Sequence, residues 1–267
     1  YLTVSRGLWD WATSSGESSR PVTSELILRD RVDKGFHRDF VHVAIWGPAG
    51  SGTSSLVNAL RGLPNSHHDA ARVGTVEATV ERTRYLGHSS FKPLLLYDIP
   101  GSETQRSPSE GYYDAQELYL FDALLILWGE RLGEVEMNII RACIRNHRRF
   151  YLVRSKSDDM IRHIKDDRDI EDTVEGSFEA KRAHMGSTVS ALRDELHRAQ
   201  VPDELIQELF GFCILANKND LRVLSSTRHT GEWNPVERPT EIHERQLLIL
   251  LGKRGAPPPE SKAGSQA

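Results

Sequence analysis

The sequence predicts an α/β fold in which a mostly parallel sheet is flanked by helices. Three observations lead there. Short runs rich in β-branched, aliphatic and aromatic residues recur at 40–46, 94–97, 122–128, 150–154 and 212–216, each the size of a buried strand. Stretches of helical periodicity separate them. Three of the runs open directly into polar or glycine-rich loops of defined spacing, as loops at the carboxyl edge of a parallel sheet do.

The chain has 267 residues and a formal net charge of −4, with 38% hydrophobic residues. That length suits one large domain with appended segments. Cys143 and Cys213 both lie inside apolar patterns, so reduced thiols and a reducing compartment are expected. No apolar run approaches the ~18 residues of a membrane span. A near-neutral charge without a basic stripe argues against nucleic acid as a partner. The predicted organisation is a flexible N-terminal segment at 1–24, a main domain at 25–253 with its core at 40–224, and a disordered tail at 254–267. A charged helical insertion at about 160–200 interrupts the core. Within the first segment, 13–24 is rich in Ser, Thr and Gly and reads as a linker, preceded by a short aromatic piece at 8–11. A helix at 25–38 is expected to pack under the domain.

The first strand ends on Gly47-Pro48-Ala49-Gly50-Ser51-Gly52-Thr53-Ser54-Ser55. This is the G-x-x-x-x-G-K-[ST] phosphate loop with Thr53 in the lysine position. A helix at 54–61 follows, with Leu56, Val57 and Leu60 on one face and Gly62 as its stop. The glycines let backbone N–H groups turn toward a phosphate, and the helix N-terminus adds partial positive charge there. Ser54 can reach a magnesium ion. Without the lysine ammonium, a charge-assisted contact worth on the order of 1.5–3 kcal/mol is lost, about one to two decades in affinity.

The second strand delivers Asp98, and Asp98-Ile99-Pro100-Gly101 has the D-x-x-G form in which a carboxylate is linked to magnesium and a glycine approaches the γ-phosphate. Beyond it a helix at 113–120, a strand at 122–128 and an amphipathic helix at 132–147 are expected. The strand at 150–154 opens into Ser155-Lys156-Ser157-Asp158. In an N/T-K-x-D element the aspartate accepts from the N1–H and exocyclic amine of guanine while the lysine stem covers the ring. Asn217-Lys218-Asn219-Asp220 matches that element more literally, but it follows the next strand along. Lys156 and Asp158 are therefore assigned to the base, with Ser155 beside them and Asn217 as an auxiliary contact.

These segments, from about residue 40 to 224, resemble the immunity-related GTPases, the interferon-inducible family of dynamin-like G proteins. The loop with its Leu56-Val57-Asn58-Ala59-Leu60-Arg61-Gly62 tail, Val76-Glu77-Ala78-Thr79-Val80-Glu81-Arg82, Tyr97-Asp98-Ile99-Pro100-Gly101, the segment from Phe150 through Asp158, and Leu215-Ala216-Asn217 carry the resemblance. It implies a Ras-like P-loop NTPase G domain that binds GDP and GTP with Mg²⁺ and self-associates, or pairs with another G domain, through nucleotide faces. It implies a cytoplasmic location, either free or peripheral on intracellular membranes. Family members carry lysine or methionine where this chain has Thr53. The first-switch threonine aligns with Val73, and Thr75 is the nearest threonine for magnesium and the γ-phosphate.

Fast hydrolysis has weak support in these residues. Ser102 and Glu103 follow Gly101, and a carboxylate beside a γ-phosphate orients water poorly because like charges repel. Slow or assembly-dependent turnover is the expectation, with Arg106 and Arg131 as candidate cations, and a non-hydrolysing regulator or scaffold is the alternative. His67-His68-Asp69 carries three metal-ligand side chains but no further partner at metal-site spacing, and reads as a solvated loop.

Overall fold

The computed structural model describes residues 4–14, 22–73, 82–87, 93–101, 111–129, 131–227 and 242–252. Thr75, Ser102, Glu103, Arg106 and the tail at 254–267 lie outside the described residues.

Six strands form one sheet: β1 (Val41–Trp46), β2 (Thr83–Gly87), β3 (Leu94–Asp98), β4 (Ala123–Trp128), β5 (Arg149–Arg154) and β6 (Cys213–Leu215). Their order is β2-β3-β1-β4-β5-β6, and all neighbours are parallel except β2 against β3. This is the mostly parallel α/β sheet of a Ras-like G domain. β1, β3 and β4 are buried along their whole length because both faces are covered. Ala44, Trp46, Leu124, Ile126 and Trp128 point into one apolar cluster, while Val43, Ile45, Leu125 and Leu127 alternate into the other. β2, the antiparallel edge, is largely exposed.

Helix α3 (Thr53–Leu60) covers the second face with α9 (Lys218–Thr227) and α10 (Glu244–Gly252). The first face carries α5 (Glu134–Arg145), α8 (Asp203–Phe210) and α4 (Tyr112–Ala115). Between 113 and 120 the periodicity suggests one helix, but the chain makes α4 and then a separate 3-10 turn, Leu118–Leu120, broken at Glu117 with φ 53°. Leu118 and Leu120 are both fully buried.

At the N-terminus the aromatic piece at 8–11 lies in a helix and not in a flexible segment, while residues 15–21 lie outside the described residues. Helix α1 (Arg6–Thr13) docks on α5, with Leu8, Trp11 and Ala12 buried. The Arg141 guanidinium lies 4.8 Å from the Trp11 ring centroid, and Arg145 donates to the Ala12 carbonyl at 3.2 Å. Apolar area at Leu8 and Trp11 outweighs the polar composition around them. Helix α2 (Ser24–Asp33) is tied to the sheet by Arg31, which donates to both oxygens of Asp122 at 2.8 and 3.1 Å, while Asp122 also accepts from the His42 amide.

The charged stretch at 160–200 lies in α6 (Ser157–Asp167) and the 25-residue α7 (Val174–Arg198). Thr173 caps α7, and a Cβ at Gly176 would sit 2.2 Å from the Glu171 carbonyl, so only glycine fits that first turn. Ala180, His184, Thr188, Leu192 and Leu196 form the buried stripe of α7, recurring at the four-residue spacing of a packed helix. Among the described residues no helix is long and apolar enough to cross a membrane.

Candidate functional site

The parallel register brings the carboxyl ends of five strands to one edge: Ile45 pairs with Asp98, Trp46 with Ile126, Trp128 with Arg154 and Arg154 with Leu215. The loops after β1, β3, β5 and β6 therefore emerge side by side. β1 is the point from which the chain first leaves toward β2 and β3 and later crosses to β4, the kind of crevice where open α/β sheets bind ligands.

At residues 47–52 the backbone conformation depends on glycine. A Cβ at Gly47 would lie 2.5 Å from the Ser51 hydroxyl oxygen and 2.9 Å from the Leu127 carbonyl. Gly50 and Gly52 adopt φ of 74° and 94°, in the left-handed region that side chains disfavour. The first helical bond of α3 runs from the Leu56 amide to the Gly52 carbonyl at 2.9 Å, so the amides of Thr53, Ser54 and Ser55 precede the helix ladder. No side chain caps α3, as none caps α5, α6 or α8. An uncapped N-terminus with inward-facing glycine backbone suits an anion. Pro48 is partly buried, Ala49 and Gly50 are exposed, and Ser51 is buried with a hydroxyl that has no hydrogen-bond partner among the described residues. Thr53, half-buried, opens α3.

Ser54 donates its hydroxyl to Asp98 at 2.6 Å, and both are buried. Oxygen atoms alone, one of them on a carboxylate, make a donor set that fits a hard cation such as Mg²⁺. Gly101 closes over the same place: its Cβ position lies 3.3 Å from the Gly47 carbonyl and 3.5 Å from the Ala49 nitrogen, so the β3 loop presses on the first. Nearby, the Tyr112 hydroxyl donates to the Pro100 carbonyl and fixes the approach. Val73 is exposed, as is Arg131.

The third loop is joined directly to the first. Ser155 donates its hydroxyl to the Ser51 carbonyl at 2.5 Å. Lys156 is exposed, in the left-handed region at φ 60°, and leads into α6. The Asp158 side chain is only 8% exposed. One of its oxygens accepts from Asn219 at 3.0 Å and lies 3.4 Å from the Lys218 ammonium, while the other has no hydrogen-bond partner among the described residues. A buried carboxylate oxygen without a donor is costly unless something supplies one.

Asn217 is placed differently from its neighbours. It is 3% exposed, its amide nitrogen donates to Asp220 at 2.9 Å, and its side-chain oxygen accepts the Asn219 backbone amide at 2.9 Å. Its side chain therefore holds the first turn of α9. Asp220, 1% exposed, is turned inward with it. Lys218 and Asn219 were not assigned a role from sequence, although the literal Asn217-Lys218-Asn219-Asp220 match marked the segment.

Two buried titratable groups support these loops from behind. The His184 ring on α7 lies 3.0 Å from the Ser157 hydroxyl, and burial together with the Arg154 guanidinium pushes its pKa down to about 4. Glu244 on α10 accepts the Asn217 backbone amide at 2.5 Å and also the Ile242 amide. Burial pushes it up to about 7, outweighing those two amides. Neither residue has a sequence signature, since each is defined by a partner far along the chain.

A glycine turn before α3, a buried serine–aspartate pair and a third loop tied to that turn lie at the carboxyl edge of an α/β sheet of the Ras-like G-domain kind. A family model described as interferon-inducible GTPase (IIGP) matches residues 24–181, more than half of the chain, and the chain belongs to that family. It is 34% identical over 118 residues to interferon-inducible GTPase 1 of Mus musculus, covering 44% of this chain and 28% of that protein. Interferon-inducible GTPase 5 of Bos taurus is 35% identical over 119 residues, 45% of this chain and 25% of its own length. The protein of that name from Rattus norvegicus aligns over 191 residues at 26% identity, covering 72% of this chain and 41% of that protein. The matched part of the chain thus spans well under half of the length of each of these relatives.

Proposed function

We propose that this chain is a guanine-nucleotide-binding G domain, taking GDP and GTP, with slow or assembly-dependent hydrolysis. The observation that carries the reading is the bare Asp158 oxygen, buried on a loop that Ser155 ties to the phosphate cradle. Guanine offers two donors on one edge, and adenine does not offer that pattern to a carboxylate. In this reading Gly47, Pro48, Ala49, Gly50, Ser51, Gly52, Thr53, Ser54 and Ser55 surround the phosphates, with backbone amides as the main donors. Ser54 and Asp98 would hold Mg²⁺, with Thr75 as a further oxygen. When bound, that ion offsets charge on the phosphate oxygens. Gly101 senses the γ-phosphate because its backbone already presses on the cradle. Lys156 covers the base, and Asn217 acts on it through the turn that positions Lys218 and Asn219.

Thr53 favours a second reading, a non-hydrolysing regulator or scaffold. A threonine hydroxyl supplies no charge to a transferring phosphoryl group, and electrostatic stabilisation carries most of that chemistry. Titration of ligand-free protein with fluorescent GDP, GTP and ATP analogues, with and without magnesium, tests the binding. Phosphate release at several protein concentrations then separates the two readings. Release per molecule that climbs with concentration supports assembly-driven hydrolysis through paired nucleotide faces, and no release at any concentration supports the regulator. Indifference to both guanine nucleotides at millimolar levels overturns both.

A further inference from the structure

The geometry points to a second cation site, for a first-row divalent ion such as Zn²⁺ or Cu²⁺, formed by His67, His68 and Asp69 on the loop that follows α3. Each residue offers one ligand atom, and the three atoms lie within 4.8 Å of one another. The His68 Nε2 and Asp69 carboxylate oxygen are 3.1 Å apart, and the His67 and His68 rings stack with centroids 4.3 Å apart at 29°. With metal–ligand bonds of about 2.0–2.1 Å, two ligands of one ion lie about 3.0–3.4 Å apart in octahedral or tetrahedral geometry. The His68–Asp69 pair already spans one such edge. Rotation of the His67 side chain closes the third corner.

The backbone beneath the triad is held in place, which lowers the ordering cost of binding. Asn58, fully buried on α3, donates to the Ala71 carbonyl at 3.0 Å and accepts the Ala71 amide at 2.7 Å, and it donates to Asn65 at 3.1 Å. Arg61 donates to the Asp69 carbonyl at 2.6 Å, leaving the carboxylate of Asp69 to the triad. His68 and Asp69 are exposed, so water can complete the coordination. Two imidazoles and one carboxylate select zinc, copper or nickel over magnesium and calcium, the reverse of the oxygen-only pair at Ser54 and Asp98.

The site is tested on the full chain without an affinity tag, by calorimetric titration with Zn²⁺ in a non-chelating buffer containing excess magnesium, and by electron paramagnetic resonance after addition of one equivalent of Cu²⁺. One Zn²⁺ per chain and imidazole nitrogen coupling in the Cu²⁺ spectrum are expected. His67→Ala and Asp69→Asn each weaken Zn²⁺ binding by more than the ~100-fold upper range that loss of an outer contact to a metal ligand causes. His163→Ala, which removes an exposed histidine on α6, leaves it unchanged. Unfolding midpoints measured without metal confirm that the variants fold. Absence of saturable Zn²⁺ binding overturns the proposal, as does binding that survives in the variant lacking all three ligands.

Discussion

At Thr53 the chemistry of the site turns on one side chain. Backbone amides of α3 and the left-handed Gly50 and Gly52 shape an anion cradle that needs no cation to form, but a lysine at this position would add a charge-assisted contact. Thr53→Lys is expected to tighten GTP binding by about one to two decades, from about 1.5–3 kcal/mol of added interaction. Phosphate release in that variant tells whether lysine raises an existing turnover or creates the first one. In the proposed reading Asp158 sets the base preference in the same way. Asp158→Asn places an amide where a carboxylate oxygen stood bare, so preference should move from guanine toward xanthine nucleotides, measured by competition against a fluorescent GDP analogue. A variant that keeps its guanine preference removes Asp158 from the base site.

Among the elements, α1 has the clearest energetic role. Trp11 is 8% exposed between α1 and α5 and lies under the Arg141 guanidinium. Trp11→Ala should cost about 3–5 kcal/mol in urea unfolding, and an unchanged midpoint would show that α1 docks without stabilising the sheet. Leu8 and Trp11 supply the buried contact, and the aromatic piece at 8–11 is its local signal in the sequence. The break at Glu117 that separates α4 from the 3-10 turn has no local signal in the sequence. By contrast, β1 and α3 were legible from the chain, because the glycines between them act through their own backbone dihedrals.

For the whole molecule, two buried groups on distant helices give opposing pH dependences. His184 has a folded pKa lowered from 6.5 to about 4, so its contribution to stability is present above pH 6.5 and is lost as pH falls through about 4. Glu244 has a folded pKa raised from 4.5 to about 7, so its contribution is present below pH 4.5 and is lost as pH rises through about 7. Each amounts to on the order of 3 kcal/mol, and they offset one another between pH 4.5 and 6.5. Relative to the unaltered chain, Glu244→Gln should therefore gain stability as pH rises across that window, and His184→Gln should lose it. Urea midpoints across the window check both signs, and parallel profiles for all three proteins would refute the assignment.

The sequence by itself determined the α/β class, the strand that feeds each loop, and the glycine spacing at 47–52, since periodicity and φ preference act over a few residues. Tertiary structure decided which of two similar elements presents a carboxylate. Asn217 and Asp220 turn inward to hold α9, while Asp158 keeps one oxygen without a donor beside Lys218 and Asn219. Side-chain orientation and burial depend on neighbours contributed by remote parts of the chain, and no local pattern encodes them.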